Sequence, residues 1–290
     1  MLKIKDLTKY YKNNLGVEKV NIELNKGEIF GFIGPNGSGK STTIKCILNF
    51  LNKNNGLIYL EDELIDKKNY QFKENVGYLP SEIHLYEDLT VKQMIDYSAS
   101  FYNKDLNDRV NELVSIFEID LNKKIDELSF GNLKKVGIVL ALMHEPKLLI
   151  LDEPTSGLDP LMQERFFELL LNEKQKGTTI FFSSHNLSEV KKVFDRVGII
   201  KNGTVIEVDT VKNLSKNNFV IVSIKSKDVK KISLPLKDMR IKSMNDDELV
   251  FMYKGDINKI IRVLTEYKID KLLIEEPTID EIFMHYYKEG

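Results

Sequence analysis

The sequence predicts an α/β fold with a mixed core sheet, an antiparallel edge sheet, a helical subdomain and a small C-terminal α+β appendage. An apolar segment, residues 29–33, leads through a glycine-rich turn into a helix predicted over 42–51. A second apolar segment, 147–153, ends in two acidic residues, as expected of a parallel strand that is buried on both faces. From Thr90 to Glu118 the apolar residues recur at intervals of three and four, which is typical of helices.

The other elements follow from local patterns. Residues 2–7 and 17–24 alternate in the manner of half-buried antiparallel strands and predict the edge sheet. An apolar helix at 136–143 completes a helical subdomain of about residues 85–146, and Asn202-Gly203 predicts a two-residue hairpin turn. The strands predicted up to this point are 2–7, 17–24, 29–33, 56–60, 75–79, 147–153, 178–182, 198–200 and 204–208.

From about residue 215 the pattern changes, which predicts a boundary between one domain at 1–215 and an accessory domain at 216–290. Thr278 and Glu281 form a capping box that opens a terminal helix with Ile279, Ile282, Phe283 and Tyr286 on one face. No chemistry is predicted for this domain. Its other predicted elements are strands at 219–224, 233–236, 249–253 and 272–274 and a helix at 257–264.

Composition indicates an ordinary globular protein of 290 residues, with 42% hydrophobic and 30% charged residues. The formal net charge of -2 gives no reason to expect nucleic-acid binding. The single cysteine, Cys46, excludes an intrachain disulfide and fits a reducing compartment. No secretory signal is expected at the N-terminus, and the longest uncharged apolar stretch, 136–143, is far shorter than the roughly 20 residues that cross a bilayer. If a membrane is involved, another chain must cross it.

The glycine-rich turn, residues 34–41, matches the pattern G-x-x-x-x-G-K-[ST] between a strand and a helix. Such a turn leaves backbone N–H groups pointing into one concavity, which predicts a phosphate site. Lys40 would bring positive charge to the β- and γ-phosphates of a nucleotide, and the Ser41 hydroxyl would ligate Mg²⁺. The predicted nucleotide-binding residues here are Gly34, Asn36, Gly37, Ser38, Gly39, Lys40, Ser41 and Thr42.

Polar residues at two other strand ends predict the catalytic groups. Asp152 is expected to anchor Mg²⁺ through its water shell, and Glu153 to accept a proton from an attacking water. His185 is expected to hydrogen-bond the γ-phosphate or that water. The alternative is structural: the two acids would simply end a strand, and His185 would be a polar residue near the start of the next helix. Tyr10 or Tyr11 is a candidate to stack on an adenine ring, and ordinary aromatic packing is the alternative.

Together these residues resemble the ATP-binding cassette (ABC) ATPases over about the first 215 residues. Residues 34–41 are similar to the Walker A motif, 148–153 to Walker B, 128–132 to the signature Leu-Ser-Gly-Gly-Gln and 156–159 to the D-loop. His185 resembles the switch histidine and Tyr11 the adenine-stacking aromatic. Within the family, the Gly-Tyr-Leu-Pro stretch at 77–80 and the tail from Pro277 resemble stand-alone subunits of bacterial exporters of the multidrug and bacitracin-resistance type.

The resemblance implies an ATPase that needs ATP and Mg²⁺ and acts as a dimer of nucleotide-binding domains, either a homodimer or a pair with a paralogue. Each ATP would contact the Walker motifs of one subunit and the signature of the other. Dimer closure would drive export through separate transmembrane permease subunits, from a peripheral position on the cytoplasmic face of the cell membrane. The residues implied in the dimer contact are Ser129, Phe130, Gly131 and Asn132 of the signature and Asp159 of the D-loop.

Three positions depart from the family pattern. Ser81 stands where the family usually has Gln, and its hydroxyl would touch Mg²⁺ with a shorter reach. Phe130 and Asn132 replace the first Gly and the Gln of the signature, which predicts slow turnover. Two other functions stay open, a soluble ABC ATPase that remodels protein or nucleic acid and an ATP sensor that barely hydrolyses. A single cassette without a basic tract argues against the first.

Overall fold

The computed structural model describes residues 1–283 apart from 13, 67–68, 187–188, 217–218, 233, 235–238 and 279–280. The chain divides into two units, Met1–Asp209 and Thr210–Gly290. The division lies a few residues before the boundary at 215/216 that the sequence analysis places. In the described part of the chain, no helix is both long and apolar enough to cross a membrane.

The elements up to the division alternate between strands and helices. In chain order they are β1 (Leu2–Tyr11), β2 (Asn14–Leu24), β3 (Ile29–Ile33), α1 (Lys40–Ile47), β4 (Asn55–Leu60), β5 (Glu63–Leu64), β6 (Val76–Leu79), α2 (Val91–Ala99), α3 (Asn107–Phe117), α4 (Phe130–Leu142), β7 (Leu148–Asp152), α5 (Pro160–Gln175), β8 (Thr179–Ser184), α6 (Val190–Val193), β9 (Arg196–Lys201) and β10 (Thr204–Thr210).

A six-stranded sheet in the order β10-β9-β3-β8-β7-β6 positions the candidate site. Its strands β9, β3, β8, β7 and β6 pair in parallel, so their carboxyl ends lie at the same edge. Every residue of β3, β7 and β8 is buried, as expected of strands covered on both faces. The residues that follow β3, β7 and β8 are therefore brought together.

The antiparallel edge sheet that the sequence predicts is present, in the order β2-β1-β4-β5. Its apolar residues, such as Leu7 and Ile58, join one core cluster with Phe32 and Phe181 of the central sheet. β1 and β2 run longer than predicted, because their outer ends stay paired although they are exposed. The turn at Asn202-Gly203 connects β9 and β10, and both of its residues have positive φ, 47° and 81°.

Two helices begin earlier than their sequence patterns predict. α1 starts at Lys40 rather than Thr42, because the left-handed Gly39 (φ 108°) lets the chain enter the helix directly from the turn. α4 starts at Phe130 rather than at residue 136, because the Ser129 side chain caps it and accepts a hydrogen bond from the Asn132 N–H. Gly131, Asn132, Lys134 and Lys135 interrupt the apolar pattern before Val136, so the pattern does not show where α4 starts.

The second unit is a small α+β fold. Its elements are α7 (Val211–Lys216), β11 (Phe219–Lys225), β12 (Met239–Met244), β13 (Glu248–Lys254), α8 (Ile257–Leu264) and β14 (Lys271–Glu275). The antiparallel sheet has the order β12-β13-β11-β14, and α8 contributes Ile260 and Leu264 to its core. The sequence analysis missed β12, and the strand it predicts at 233–236 lies almost wholly outside the described residues.

At the C-terminus, the predicted capping box is present. The Thr278 N–H donates to Glu281 Oε2 (2.7 Å), and the Glu281 N–H donates to Thr278 Oγ1 (3.3 Å). Ile282 and Phe283 are buried. The two other members of the predicted helix face, Ile279 and Tyr286, lie outside the described residues.

Candidate active site

A cleft of about 670 Å³ opens where the carboxyl ends of β3, β7 and β8 meet. Most of the residues that the sequence selects as nucleotide-binding or catalytic line it. They are Tyr11, Asn36, Gly37, Gly39, Lys40, Ser41, Thr42, Ser81, Phe130, Glu153 and His185. Gly34, Ser38 and Asp152 are instead buried and do not line it. Leu15 and Gly16 also line the cleft, although no pattern in the sequence selects them.

The glycine-rich turn has the conformation that a phosphate loop requires. Gly37 and Gly39 have φ of 80° and 108°, in the left-handed region that favours glycine. A Cβ on Gly34 would lie 2.5 Å from the carbonyl oxygen of Ile200, so a larger residue cannot occupy this position. The buried Ser38 hydroxyl has no hydrogen-bond partner in the described structure, which leaves it available to an oxyanion.

Lys40 lies at the base of the cleft with 5% of its surface exposed. Its ammonium donates to the carbonyl oxygens of Gly34 (2.7 Å) and Pro35 (3.3 Å). It also lies 3.1 Å from Glu153 Oε1, an ion pair without hydrogen-bond geometry. The charge that a phosphate would meet is therefore held by two neutral carbonyls and one carboxylate, which a bound phosphate would have to replace.

The carboxylate of Glu153 contacts both the phosphate loop and the residue that follows β8. Its Oε2 lies 2.7 Å from Nδ1 of His185, while its Oε1 faces Lys40. Because an ionised carboxylate only accepts hydrogen bonds, Nδ1 of His185 carries the proton in this contact. The φ of Glu153 is 50°, a strained value for a residue with a side chain, and its N–H donates to the carbonyl oxygen of Ser183 at 3.1 Å.

Asp152 is buried beside Glu153 and accepts a hydrogen bond of 2.6 Å from the Ser183 hydroxyl. The sequence analysis missed Ser183, which the parallel pairing of β7 and β8 places opposite Asp152. Among the residues that the structure describes, no three or more His, Cys, Asp or Glu side chains form a group able to hold a metal ion. A carboxylate with the hydroxyl of Ser41 is a partial set of hard oxygen ligands, which suits Mg²⁺ because this ion keeps waters and phosphate oxygens.

Tyr11, and not Tyr10, lines the cleft. The Tyr11 hydroxyl lies 3.2 Å from Oγ1 of Thr42, which follows the phosphate loop. Its ring is 43% exposed, with the ammonium of Lys9 5.5 Å from the ring centroid. Tyr10 instead donates to Glu18 at 3.3 Å. A partly exposed aromatic ring beside the phosphate loop is thus present at one of the two candidate positions.

The signature and D-loop residues line a second cleft of about 380 Å³. Phe130 contributes to both clefts, is 52% exposed and packs on Gly157, where a Cβ would lie 2.3 Å from its ring. Asp159 caps α5 by accepting a hydrogen bond from the Met162 N–H at 3.0 Å. The selected residues that line this second cleft are Ser129, Phe130, Gly131, Asn132 and Asp159.

Ser81 lies in the loop after β6, and a buried lysine that the sequence analysis missed holds this loop. Nζ of Lys134 donates to the carbonyl oxygens of Pro80 and Ser81, both at 3.1 Å. Burial lowers the pKa of Lys134 to about 8, although the carboxylates of Asp152 and Glu153 act in the opposite direction. Lys134 precedes the apolar helix predicted at 136–143, and nothing in the sequence indicates that this charged residue is buried.

Comparison with known proteins identifies the family of this chain. The family model of ABC transporters matches residues 17–156. The bacitracin transport ATP-binding protein BcrA of Bacillus licheniformis is 31% identical over 295 residues, which span 98% of this chain and 96% of that protein. The linearmycin resistance ATP-binding protein LnrL of Bacillus subtilis is 34% identical over 219 residues, 74% of this chain and 70% of that protein.

A solved structure of an ATP-binding subunit of an ABC transporter superposes with a TM-score of 0.70 and 31% identity, over 74% of this chain and 92% of that one. A nucleotide-free ATP-binding cassette from an ABC transporter gives a TM-score of 0.63 at 26% identity, over 73% and 94% of the two chains. Both confirm the predicted fold class. Because the similarity to BcrA extends over nearly the whole of both chains, this protein belongs to the ABC transporter family as one of its ATP-binding subunits.

Proposed function

We propose that this chain hydrolyses ATP and powers export through separate transmembrane permease subunits, from the cytoplasmic face of a membrane. The observation that carries the proposal is Glu153, whose two carboxylate oxygens face Lys40 and His185 at the carboxyl edge of the parallel sheet. This arrangement joins a phosphate-binding cation, a proton acceptor and a polar partner for that acceptor in one cleft.

In the proposed binding mode, the phosphates occupy the turn at 34–41. Its N–H groups and the Lys40 ammonium then replace water around the anion. The adenine ring stacks on the exposed face of Tyr11, which Thr42 orients through its hydroxyl. Ser41 and Asp152, with Ser81 as a further candidate, would hold a Mg²⁺ that offsets the charge of the β- and γ-phosphates.

Glu153 is the proposed general base. When ATP takes over Lys40, the carboxylate loses its cation and can accept a proton from a water that attacks the γ-phosphorus. His185 holds the carboxylate through Nδ1 and lines the same cleft, and its other ring nitrogen would contact the γ-phosphate or the water. Stabilising the charge that develops on the phosphoryl group is the main task of such a site.

The signature residues act on ATP bound by a second cassette in this proposal, either another copy or a paralogue. Ser129 and Gly131 provide the polar contacts, and Phe130, Asn132 and Asp159 line the same surface. ATP favours the closed pair and loss of the γ-phosphate removes that bias, which is how hydrolysis would drive a permease. The names of the relatives, bacitracin transport and linearmycin resistance, favour export of an antibiotic-like substrate.

Replacing Glu153 with Gln tests the enzymatic part of the proposal. The variant should lose MgATP hydrolysis, measured as phosphate release, and retain ATP binding, measured by calorimetry. Glu82→Gln, which removes a neighbouring exposed charge from the same cleft, is the matched control and should hydrolyse ATP. Equal hydrolysis by the wild type and Glu153→Gln would contradict the role of Glu153, and a wild type that binds ATP without turnover would favour an ATP sensor.

Co-purification tests the coupling to transport. Tagged Glu153→Gln is held in MgATP, extracted from detergent-solubilised membranes of the source cells, and its partners are identified by mass spectrometry. A polytopic membrane protein among them supports the exporter proposal. Recovery from the soluble fraction alone, or with a soluble partner, would contradict it and favour a soluble ABC ATPase.

A further inference from the structure

Lys134 in α4 is fully buried, although lysine is rarely buried without an anionic partner. Its ammonium donates to two backbone carbonyl oxygens, those of Pro80 and Ser81. These carbonyls belong to the loop that carries Ser81 into the cleft, which contains the groups proposed for hydrolysis. A buried ammonium that holds one loop by hydrogen bonds indicates that the position of this loop matters.

The helix and the loop are also packed closely beside Lys134. A Cβ on Gly137, one turn further along α4, would lie 2.5 Å from Ile83 and 2.9 Å from Leu79. The loop is therefore held to α4 by apolar contact as well as by the two hydrogen bonds. Because α4 begins immediately after Ser129, a displacement of the start of this helix would be transmitted to the loop.

The acid pair at the end of β7 also acts on Lys134, at longer range. The carboxylates of Asp152 and Glu153 favour the charged form of the ammonium, against the effect of burial on its pKa. Lys134 thus combines direct hydrogen bonds to the Ser81 loop with an electrostatic interaction with the two carboxylates.

We propose that Lys134 is a positioning residue for ATP hydrolysis, which sets the distance of Ser81 from Asp152 and Glu153 and makes it depend on the start of α4. The inference rests on the proposed function, because positioning has meaning only if this site hydrolyses ATP. Lys134 does not itself line the cleft and acts on it through the Ser81 loop, so its loss should lower kcat and leave the affinity for ATP unchanged.

Three variants separate positioning from general stability. Lys134→Met keeps the length of the side chain and removes both hydrogen bonds, and Lys134→Gln keeps a donor without the charge. Val139→Ala, a buried change later in the same helix, is the control for destabilisation alone. At equal folded fraction, Lys134→Met should lower kcat at least about tenfold with ATP affinity within about twofold of wild type, Lys134→Gln should recover part of the loss, and Val139→Ala should keep kcat.

A double-mutant cycle with Ser81→Ala tests whether Lys134 acts through Ser81. If it does, Lys134→Met lowers kcat in the wild-type background and has little further effect when Ser81 is already Ala. Additive losses would overturn the inference, because they would show that Lys134 acts elsewhere. Equal losses of kcat in Lys134→Met and Val139→Ala would also overturn it, since burial alone would then explain both.

The same assays keep this inference distinct from the proposed function. Hydrolysis by the wild type and at the same rate by Lys134→Met would refute the role of Lys134 and leave the ATPase proposal intact. Absence of hydrolysis in the wild type, with its ATP binding present, would refute the ATPase proposal and the inference together.

Discussion

Replacing Glu153 with Gln should tighten the binding of ATP in the absence of Mg²⁺. Glu153 Oε1 lies 3.1 Å from the Lys40 ammonium, and these side chains are only 16% and 5% exposed. ATP must draw Lys40 away from this carboxylate and must then accept the carboxylate as a neighbouring negative charge. The neutral amide of Gln removes both costs and leaves the size of the side chain nearly unchanged.

The magnitude follows from the distance and the burial. Two unit charges 3.1 Å apart attract by about 5 kcal/mol at an effective dielectric constant of about 20. Desolvation offsets most of this attraction, which leaves a net effect of about 1 to 3 kcal/mol. Glu153→Gln should therefore lower the Kd of ATP by about 5-fold to 150-fold.

Calorimetric titration with ATP in EDTA measures this difference without turnover. Glu82→Gln removes an exposed carboxylate from the same cleft without touching Lys40, so its Kd should change by no more than about twofold. Without nucleotide, Glu153→Gln should also be less stable to urea, because it leaves the buried Lys40 ammonium with fewer partners. A Kd for Glu153→Gln equal to that of the wild type, or equal to that of Glu82→Gln, would refute the competition for Lys40.

Three further predictions concern stability, measured by urea denaturation. Gly157→Ala should cost about 1 to 3 kcal/mol, because φ is 82° and the new Cβ would lie 2.3 Å from the Phe130 ring, and Phe130→Gly in the same chain should recover the steric part only. Burial lowers the pKa of His144 from 6.5 to about 4, so the unfolded chain takes up the proton first as the pH falls. Between pH 6.5 and 4 the free energy of unfolding of the wild type should therefore fall by up to about 3 kcal/mol. His144→Phe should not show this loss. Glu173→Gln should cost about 2 to 3 kcal/mol, because it removes the buried carboxylate 2.6 Å from Arg109 and leaves Arg109 to its second, half-exposed partner Glu112. Replacing Arg109 and Glu173 together by Leu and Met should cost less, and equal costs would contradict this explanation.

Apolar runs and helical spacing within single segments predicted the fold most reliably. β3 and α8 have the bounds that the sequence predicts, because the apolar run of β3 is fully buried and the apolar residues of α8 recur on one face. β12 was missed because most of its side chains are exposed and include Arg240 and Lys242, so no alternation marks it as a strand. A strand at the margin of a sheet is determined by its neighbour, here β13, more than by its own residues.

The sequence predicts which residues form the candidate site better than it predicts how they contact one another. Strand ends of a parallel sheet lie at one edge, so the convergence of Lys40, Glu153 and His185 follows from the motifs and the fold class. The roles of these residues stay predictions. Their pairing, with Glu153 between a lysine and a histidine, depends on distances of 3.1 and 2.7 Å that no spacing along the chain determines.

Strand register explains why the contacts of Asp152 and Glu153 could not be predicted from the sequence. Asp152 is opposite Ser183 in the pairing of β7 with β8, so the hydroxyl reaches its carboxylate and the Ser183 carbonyl receives the Glu153 N–H. A shift of one residue would place Phe182 or Ser184 opposite Asp152 and turn the side chains to the other face. The apolar residues of β7 and β8 are buried on both faces of the sheet, and their packing opposes such a shift. The chemistry of the cleft therefore depends on packing behind it.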